Sequence, residues 1–501
     1  MNEAPRSITA SMLYAHLVCP HRVAKDVFAN PAERDPVSPF VQMLWERGTA
    51  HERDIISGLD QPFLDLSTRA GEEKEAETRA AIELHVPLIY NGRLSIDSIL
   101  GEPDLLRWEG TGYAPIDIKS GAGEEGADEA EGEEGRPKKT HGVQIALYAD
   151  ILIRLGVSAG RYGYIWDVHA HETRYDLDSP LGSKSPSIWE LYLAVRQQVT
   201  AALNGKEVTH PAAASICKQC VWRSSCLREL KSEQDLTLLP ELGRAKRAAI
   251  QSQFPKLPDL AHANVERFID GKKTEFPGIG ADTLRKFQRR AQLAVTKDAK
   301  PYLTRAIIWP KADVELFFDI ETDPMRDLCY LHGVVIREGG RSTAERFVGI
   351  YAEDLTPAAE EAAFALAVAL FREYPAALIV HYSKYERTEY RKLQRKYPMV
   401  ATPEEIDALF KPPRAMDLYL DAVKPASEWP TLDFSIKSLA KWCGFAWRDL
   451  DPSGASSIEW FDQWAETRNP AMKTRLLEYN EDDCRAMRVV MDVMKELPVR
   501  A

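Results

Sequence analysis

The apolar residues of the chain change their spacing along its length, and these changes predict its secondary structure. In residues 1–230, apolar-periodic helices around Asp54 and Ala80 precede alternating runs at LSIDSIL and YAPIDIKS. A long helical stretch then begins near Gln144. This mixture predicts an α/β domain.

The rest of the chain contains two further regions. Residues 235–305 have the pattern of short basic helices. Residues 312–501 return to an α/β pattern, with buried strands at VELFFDIET and AALIVHYS and long helices at the end. At about 150 residues per domain, 501 residues suit three folded units. We therefore predict an α/β multidomain protein.

Composition narrows the class of protein. Hydrophobic residues make up 45% and charged residues 28% of the chain, which is ordinary for a soluble globular protein. No stretch approaches the roughly 20 uncharged apolar residues of a membrane span. The first residues lack a basic start followed by an apolar run, so no secretory signal is predicted. We expect a cytoplasmic protein with no membrane partner.

The net charge of -12 is unevenly distributed. Residues 121–135 contain seven acidic residues and no basic one, whereas residues 237–310 contain fourteen Lys and Arg against seven acids. A basic centre between acidic regions is compatible with binding to nucleic-acid phosphates. The acidic run lacks large apolar residues, which predicts a mobile loop.

The run GEPDLLRWEGTGYAPIDIKSG predicts a hairpin that carries two acids. We place Asp104 on the first strand, a turn at EGTG, and Asp117 and Lys119 on one face of the second strand. Two carboxylates can hold a hard divalent ion such as Mg2+ or Mn2+, which activates water, and Lys119 can position that water. Salt-bridged surface strands also produce a D-x-K pattern.

Two flanking patterns belong with this hairpin. ERGTAHERD places His51 on a helix, and Gln144 and Tyr148 have a Q-x3-Y spacing on one helical face. Together these residues resemble the RecB-like branch of the PD-(D/E)XK nucleases, which have a restriction-endonuclease-like core. The resemblance implies that His51 is a metal ligand with Asp104 and Asp117, and that the Gln144 helix packs against the catalytic site.

Three cysteines cluster near the end of the same region. Cys217, Cys220 and Cys226 follow a C-x2-C-x5-C spacing, and Cys19 lies near the start. These four resemble the cysteines of the CRISPR-associated and AddB-type iron-sulfur nucleases, which implies a [4Fe-4S] cluster that joins the two ends of the domain. Zn2+ held by the same thiolates is an alternative, and buried cysteines without a ligand are another.

The basic middle region contains a weak internal repeat. LLPELGRAKRAAI and FPGIGADTLRKFQRRAQLA each place an apolar residue and Pro-x-x-Gly before a basic helix. They resemble tandem helix-hairpin-helix elements, whose glycine turns present backbone N–H groups to DNA phosphates. The resemblance implies that Gly278 and Gly280 bind DNA, with residues 240–243 as the weaker hairpin. A helical linker with a tight turn is the alternative.

The C-terminal region carries two acidic motifs. Asp319 and Glu321 lie on one face of the strand LFFDIET, and YNEDDCRAM supplies Tyr479 and Asp483 with a Y-x3-D spacing on one helical face. These resemble the first and last motifs of DnaQ-like exonucleases, which have a ribonuclease H-like fold. The resemblance implies two metals held by carboxylates, an attacking water oriented by Tyr479, and 3'-to-5' hydrolysis.

This chain departs from the middle motif of the DnaQ-like family. Where the family carries Asp, this chain reads IVHYSKYERTEYRKL, and Glu386 is the nearest candidate metal ligand. Glu is longer by one methylene and can still bind a metal. Asp417 and Lys437 lie in a stretch that resembles the YprB-type ribonuclease H-like group. A degenerate domain that binds nucleic acid without cutting it is the alternative.

Nearly the whole chain resembles the RecB-like nucleases of bacteria that combine these parts. The parts are an iron-sulfur nuclease at residues 1–230, a helical hairpin region at 235–305 and an exonuclease at 312–501. The resemblance implies a metal-dependent nuclease acting on single-stranded DNA ends in repair, recombination or defence, with a helicase as partner by analogy. A nucleic-acid-binding scaffold and an RNA-processing ribonuclease are the competing hypotheses.

Overall fold

The computed structural model describes residues 7–125, 135–168, 170–182, 185–341, 343, 345–450 and 452–500. The chain divides into two compact units, residues 1–211 with 215–226 and residues 212–214 with 227–501. Most of the predicted acidic loop, residues 126–134, lies outside the described residues. Every helix in the described part is too short or too polar to pass through a lipid bilayer.

The first unit has mixed α/β structure. Its strands are β1 (Ile8–Thr9), β2 (Leu64–Asp65), β3 (Leu88–Tyr90), β4 (Leu94–Ile96), β5 (Ile99–Gly101), β6 (Leu105–Trp108), β7 (Tyr113–Ile118), β8 (Glu124–Glu125), β9 (Arg136–Pro137), β10 (Tyr162–Trp166) and β11 (Glu172–Asp176). Its helices are α1 (Ala10–Val18), α2 (Pro20–Phe28), α3 (Pro39–Ser57), α4 (Gly71–Glu83), α5 (Lys139–Arg154) and α6 (Ile188–Leu203), and the chain continues into α7 (Arg223–Glu233).

A six-stranded sheet with the order β11-β10-β7-β6-β3-β2 forms the centre of this unit. The fully buried strand β7 pairs antiparallel with β6 and parallel with β10. Helix α5 connects these two parallel strands and buries an apolar face that includes Val143 and Leu147. A Cβ added to Gly101 would lie 2.8 Å from the Tyr148 ring, so glycine lets β5 approach α5 closely.

Two sequence predictions for this unit need correction. LSIDSIL forms β4 and β5 rather than one strand, because Asp97 adopts a left-handed φ of 52° and begins a turn between them. Asp104 lies in a bend just before β6 rather than within a strand. The preceding Pro103 lacks the N–H group that would extend the ladder. The predicted turn at EGTG does connect β6 to β7.

The second unit joins a helical segment to a larger sheet. Its strands are β12 (Ile269–Asp270), β13 (Lys273–Thr274), β14 (Tyr302–Leu303), β15 (Val314–Asp323), β16 (Leu328–Glu338), β17 (Glu345–Tyr351), β18 (Leu378–His381), β19 (Ala415–Asp417) and β20 (Ser427–Glu428). Its helices are α8 (Gly243–Ile250), α9 (Leu257–His262), α10 (Ala281–Val295), α11 (Pro357–Glu373), α12 (Tyr385–Lys396), α13 (Pro403–Leu409), α14 (Lys424–Ala426), α15 (Ile436–Trp442), α16 (Gly454–Thr467) and α17 (Pro470–Lys495).

Strand β15 lies at the centre of a five-stranded sheet with the order β17-β16-β15-β18-β19. It pairs antiparallel with β16 and parallel with β18. Its apolar side chains alternate between two cores, because Phe317 packs in one cluster with Met487 of α17 and Phe318 packs in another with Phe364 of α11. The sheet is therefore buried on both faces, which explains the continuous apolar run in the sequence.

The turn at residues 277–280 is preceded by a β-hairpin, not by the predicted helix. Strands β12 and β13 pair antiparallel around a two-residue turn, in which Gly271 has a φ of 59°. Glycine at such a turn favours a hairpin. Gly278 has a φ of 73°, and Gly280 is the N-cap of the basic helix α10. The helix that follows the turn was predicted correctly, but the first half of the helix-hairpin-helix pattern is absent at this turn.

Candidate catalytic and metal sites

Three carboxylates of the second unit converge on one point. Asp319 and Glu321 alternate along β15 and so share a face, while Asp483 lies on α17. One oxygen of each carboxylate lies within 4.8 Å of the other two. Glu321 and Asp483 are buried, and Asp319 is partly buried. The strand and the helix thus supply a compact set of hard oxygen ligands.

The electrostatics of this group, the carboxylate cluster, favour a bound cation. Burial, followed by the charge of Asp483, raises the pKa of Glu321 to about 8. Burial and the charges of Asp483 and Glu321 also raise the pKa of Asp319 well above its usual value. A divalent cation would relieve this repulsion, and carboxylate oxygens are the ligands that Mg2+ and Mn2+ prefer. The residues present therefore fit such an ion.

A lysine of α15 links the phenol and one carboxylate of this site. Lys437 donates from Nζ to Oη of Tyr479 at 2.6 Å, and the same Nζ lies 3.2 Å from Oδ2 of Asp483. Tyr479 is buried, and burial together with the charge of Asp483 raises its pKa well above the usual value. The phenol is therefore protonated at neutral pH. Its oxygen accepts from Lys437, and a hydrogen bond with Asp483 contributes to the raised pKa.

Two further residues fix the carboxylates, and the sequence reasoning missed both. Asn480 donates from Nδ2 to Oδ2 of Asp319 at 2.8 Å, and Trp447 donates from Nε1 to Oδ1 of Asp483 at 2.7 Å. A Cβ added to Gly333 of β16 would lie 1.5 Å from Oδ1 of Asn480, so glycine makes room for this amide. The polar run YNEDD within a buried helix was a signal for Asn480, whereas nothing in the sequence spacing indicated Trp447.

The structure places Glu386 beside the carboxylate cluster rather than within it. Glu386 lies on the first turn of α12, is buried, and lies 3.6 Å from Nδ1 of His381. Its charge contributes to the raised pKa of Asp319, so the two carboxylates interact. Among the described residues, however, the group within 4.8 Å contains only the other three acids. The role of Glu386 as a metal ligand therefore stays a prediction.

Asp417 has a local structural role in this arrangement. One of its side-chain oxygens accepts from the backbone N–H of Ser383 and from that of Leu420, both at 2.9 Å. It therefore caps the π-helical turn Leu418–Val423, and it also holds the loop after β18.

The first unit contains another group of acids, at the hairpin β6–β7. Asp117 is buried, and Asp104, just before β6, is partly buried. Oδ2 of Asp104 accepts from the backbone N–H of Ile118 at 2.6 Å, and Asp117 forms an ion pair with Lys119. Burial and then the charge of Asp117 raise the pKa of Asp104 well above its usual value. Burial opposes the charged form of Lys119, but the charges of Asp117 and Asp104 raise its pKa. The hairpin thus brings Asp104, Asp117 and Lys119 together.

Glu52, the residue after His51, interacts electrostatically with Asp104. Nε2 of His51 lies 3.3 Å from the carbonyl oxygen of Asp167, and His51 does not form a three-ligand group with Asp104 and Asp117 within the described residues. The charge of Glu52 contributes to the raised pKa of Asp104, and Glu52 accepts from Oη of Tyr90 at 2.9 Å. The sequence reasoning missed Glu52, although it directly follows His51 in HERD.

Helix α5 presents a polar face to the same hairpin. Burial, then the charges of Asp117 and Asp104, raise the pKa of the Tyr148 phenol well above its usual value. Gln144, one turn earlier, is partly exposed. Burial and the charge of Lys119 lower the pKa of His141 to about 4. The spacing of Gln144 and Tyr148 therefore places this helix against the acids, and His141 is an additional neighbour.

The four cysteines lie where the two ends of the first unit meet. Cys19 lies between α1 and α2, and burial raises the pKa of Cys220, with smaller contributions from Cys217 and Cys19. Cys226 lies on α7. The ends are joined by hydrogen bonds between Nδ1 of His21 and Oγ1 of Thr209 at 3.0 Å, between the Asp35 N–H and the Val221 carbonyl at 2.7 Å, and between Nε1 of Trp222 and Oδ1 of Asp26 at 2.8 Å.

Comparison with known proteins bears on the second unit. No curated protein matches the chain. A family model described as RNase_H superfamily matches residues 316–495, a span that includes Asp319, Glu321, Tyr479 and Asp483. RNase H-like nucleases typically use divalent metals such as Mg2+, in agreement with the chemistry of the carboxylate cluster. The match confirms the ribonuclease H-like part of the predicted fold: residues 316–495 are similar to the RNase H superfamily, which indicates a nuclease-type function.

Proposed function

We propose that this protein is a metal-dependent nuclease that hydrolyses phosphodiester bonds of DNA at single-stranded ends. The observation that supports this most directly is the convergence of Asp319, Glu321 and Asp483 within a region similar to the RNase H superfamily. Three mutually repelling acids, two of them buried, destabilise a fold unless a cation or protons neutralise them.

The roles of the residues follow from their contacts. Mg2+ or Mn2+ held by the carboxylate cluster would activate water and stabilise charge on the leaving oxygen. Asn480 orients Asp319, and Lys437 holds the phenol of Tyr479 in place. Tyr479, held by Lys437 and hydrogen-bonded to Asp483, would orient the attacking water. Burial of the group excludes other water and strengthens these interactions.

We also propose a second nuclease site in the first unit, of the PD-(D/E)XK type. Asp104, Asp117 and Lys119 lie on one hairpin, and Gln144 and Tyr148 lie on the helix beside it. His51 stays a predicted ligand, and Glu52, which interacts electrostatically with Asp104, would be a further carboxylate for the ion. The acids would hold a divalent ion, and Lys119 would polarise the water.

The four cysteines would hold a [4Fe-4S] cluster that joins the ends of the first unit. The hydrogen bonds between residues 21–35 and residues 209–222 already bring those ends together. Ligands separated by about 200 residues gain from closing so long a loop. Zn2+ in the same four thiolates is the alternative, and analysis of bound metal and acid-labile sulfide distinguishes the two.

Two other functions have support from particular observations. The position of Glu386 outside the carboxylate cluster favours a scaffold that binds nucleic acid without cutting it. The RNase H superfamily match permits an enzyme that processes RNA.

Incubation of the full chain with end-labelled single-stranded DNA and RNA, in Mg2+, Mn2+ or EDTA, tests these proposals. We expect metal-dependent release of labelled products from DNA. Asp313→Asn, an exposed change before β15, is the control for substitutions in the carboxylate cluster. Cleavage of RNA alone would support the processing enzyme. Binding without cleavage of either polymer in any metal would support the scaffold and overturn the proposal.

A further inference from the structure

An open cavity of about 790 Å3 lies in the second unit. It is lined by α10, by the segment after α10 and by β14, with one residue from the C-terminus. Its polar lining includes Arg289, Gln292, Thr296, Lys300, Tyr302 and Arg500. A volume of this size accommodates a nucleotide-sized group. We call it the basic cavity.

The lining of the basic cavity carries excess positive charge. Arg289, Lys300 and Arg500 are opposed by one lining acid, Asp298. Glu428 lies near Arg289, with 3.6 Å between their charged atoms, but it forms a shorter, buried ion pair of 2.7 Å with Arg290. Its negative charge is thus largely neutralised. The cavity therefore attracts anions.

Arg289 also has an unsatisfied donor. Its Nε atom is buried and has no hydrogen-bond partner within the described part of the chain. A buried N–H group without a partner is costly, so the Arg289 side chain gains from any shift that brings Nε to an anionic oxygen. Guanidinium groups match the geometry of phosphate oxygens, so the arginines favour phosphate over a simple halide.

The cavity is suited to phosphates rather than to bases. Its aromatic ring, Tyr302, is 8% exposed, and the guanidinium of Arg500 lies 5.1 Å from the ring centroid. A base therefore has little free face on which to stack. Thr296 and Gln292 add hydrogen-bonding groups that suit phosphate oxygens.

Helix α15 connects the basic cavity to the carboxylate cluster. Near its start, Lys437 contacts Tyr479 and Asp483, and its last residue, Trp442, lies under Nζ of Lys300, 5.8 Å from the ring centroid. Five residues of helix rise by about 7.5 Å, a distance that a short stretch of one single strand can span. One strand can therefore reach both places.

We infer that the basic cavity binds backbone phosphates of the same strand whose end lies at the carboxylate cluster. This inference rests on the proposed nuclease function. Arg289 and Arg500 hold the phosphates, and Lys300 supplies charge between them and α15. The contacts carry no base recognition, so binding is independent of sequence.

The test measures strand binding with and without the two arginines. The full chain is titrated, in EDTA, against a fluorescein-labelled single-stranded DNA of about 20 nucleotides, over a series of salt concentrations. We expect Arg289→Ala/Arg500→Ala to weaken binding about tenfold and to reduce the slope of log K against log salt by about 1.4, because each phosphate contact on a single strand contributes about 0.7. The double Lys variant, Arg289→Lys/Arg500→Lys, should retain the slope.

Arg341→Ala/Arg395→Ala, which removes two exposed arginines of the same unit, is the matched control. We expect it to bind like the parent protein, and thermal unfolding of all variants verifies that they fold. Equal affinity and slope in the Arg289/Arg500 and control variants would overturn the inference. Competition by dTMP or inorganic phosphate as effective as that by unlabelled strand would also overturn it, since the site would then take free phosphates.

A second assay distinguishes failure of the cavity's strand-binding role from failure of the proposed nuclease function. It measures hydrolysis of the p-nitrophenyl ester of thymidine 5'-phosphate with Mn2+. The ester carries a single phosphate, which the carboxylate cluster would take, so it has no further backbone phosphate for the basic cavity and the cavity variant should hydrolyse it at the parent rate. If the parent hydrolyses the ester but the Arg289/Arg500 variant binds the strand as the parent does, the proposed role of the basic cavity is wrong and the nuclease function stands. Absence of hydrolysis by the parent, with lost strand binding in the variant, would overturn the nuclease function and retain the cavity as a strand-binding site.

Discussion

Nζ of Lys437 lies between Oη of Tyr479 at 2.6 Å and a carboxylate oxygen of Asp483 at 3.2 Å. One cation therefore orients the phenol and partly neutralises the carboxylate cluster. Because burial and the charge of Asp483 raise the pKa of Tyr479, the phenol is a hydrogen-bond donor and not a base at neutral pH. The arrangement assigns Lys437 a positioning role that acts through Tyr479.

Replacement of Lys437 tests this role. We expect Lys437→Met to lower kcat about tenfold to a hundredfold, because the phenol loses the partner that orients it. The concentration of Mn2+ at half-maximal rate should stay the same or fall, because the cluster becomes more negative. The measurement is a series of rates on the thymidine ester at different Mn2+ concentrations.

Lys441→Met is the control for Lys437→Met, since Lys441 is exposed one turn later on α15. We expect it to leave both parameters unchanged. If Lys437 were purely structural, Lys437→Met would lower the melting temperature and raise the Mn2+ concentration at half-maximal rate together. An unchanged kcat in the Lys437 variant would contradict the positioning role.

Single substitutions should separate the two proposed nuclease sites. We expect Asp319→Asn and Lys119→Ala each to remove one component of the cleavage and to leave the other, because the residues belong to different units. The product patterns on end-labelled DNA, with Mn2+, distinguish the components. The double variant should be inactive. If neither single variant nor the double variant alters cleavage, both site assignments are wrong.

Local spacing determined how much of each site could be predicted. The alternation of Asp319 and Glu321 on a strand and the four-residue spacing of Tyr479 and Asp483 on a helix are periodic signals, and the structure brings all four together. The partners of these residues follow from contacts between distant segments. Asn480 bonds to Asp319, 161 positions away, and no short-range pattern encodes that contact.

Two predictions rest on weaker patterns. Glu386 is predicted from its place after an apolar strand; it lies beside the three clustered acids, 3.6 Å from Nδ1 of His381, and its role as a metal ligand stays a prediction. A β-hairpin with a two-residue turn at Gly271 stands where a helix was predicted. The glycine favours a turn, and the helical spacing of apolar residues in this segment is weak.

Cys220→Ser tests the proposed cluster in the first unit. We expect loss of the brown colour and of iron and sulfide, and a melting temperature lower by several degrees, because the link between the two ends is lost. Cys443→Ser, a partly buried cysteine of the second unit, is the matched control and should retain colour and stability. A coloured, fully stable Cys220 variant would remove Cys220 as a ligand. Zinc without sulfide in the parent protein would support the alternative metal.

Glu241 should make the stability of the second unit depend on pH in the acidic range. Burial alone would raise its pKa, but hydrogen bonds and charge interactions with Lys286 and Arg290 lower it to about 2, from a usual value of 4.5. A carboxylate with a lowered pKa in the folded state stabilises the fold above its unfolded pKa, and this contribution disappears as the pH falls from about 4.5 to about 2.

The variant Glu241→Gln isolates that contribution. It should lower the free energy of unfolding by about 2 kcal/mol at pH 7, because Lys286 and the buried Arg290 lose a charged acceptor. The difference between the parent and the variant should shrink steadily below pH 4.5 and be largely absent near pH 2. Glu275→Gln, a change on the same segment, should show a far smaller difference at pH 7. Urea unfolding at several pH values measures these free energies. If the difference between the parent and the variant stays constant down to pH 2, the charge of Glu241 does not contribute to stability through its basic neighbours.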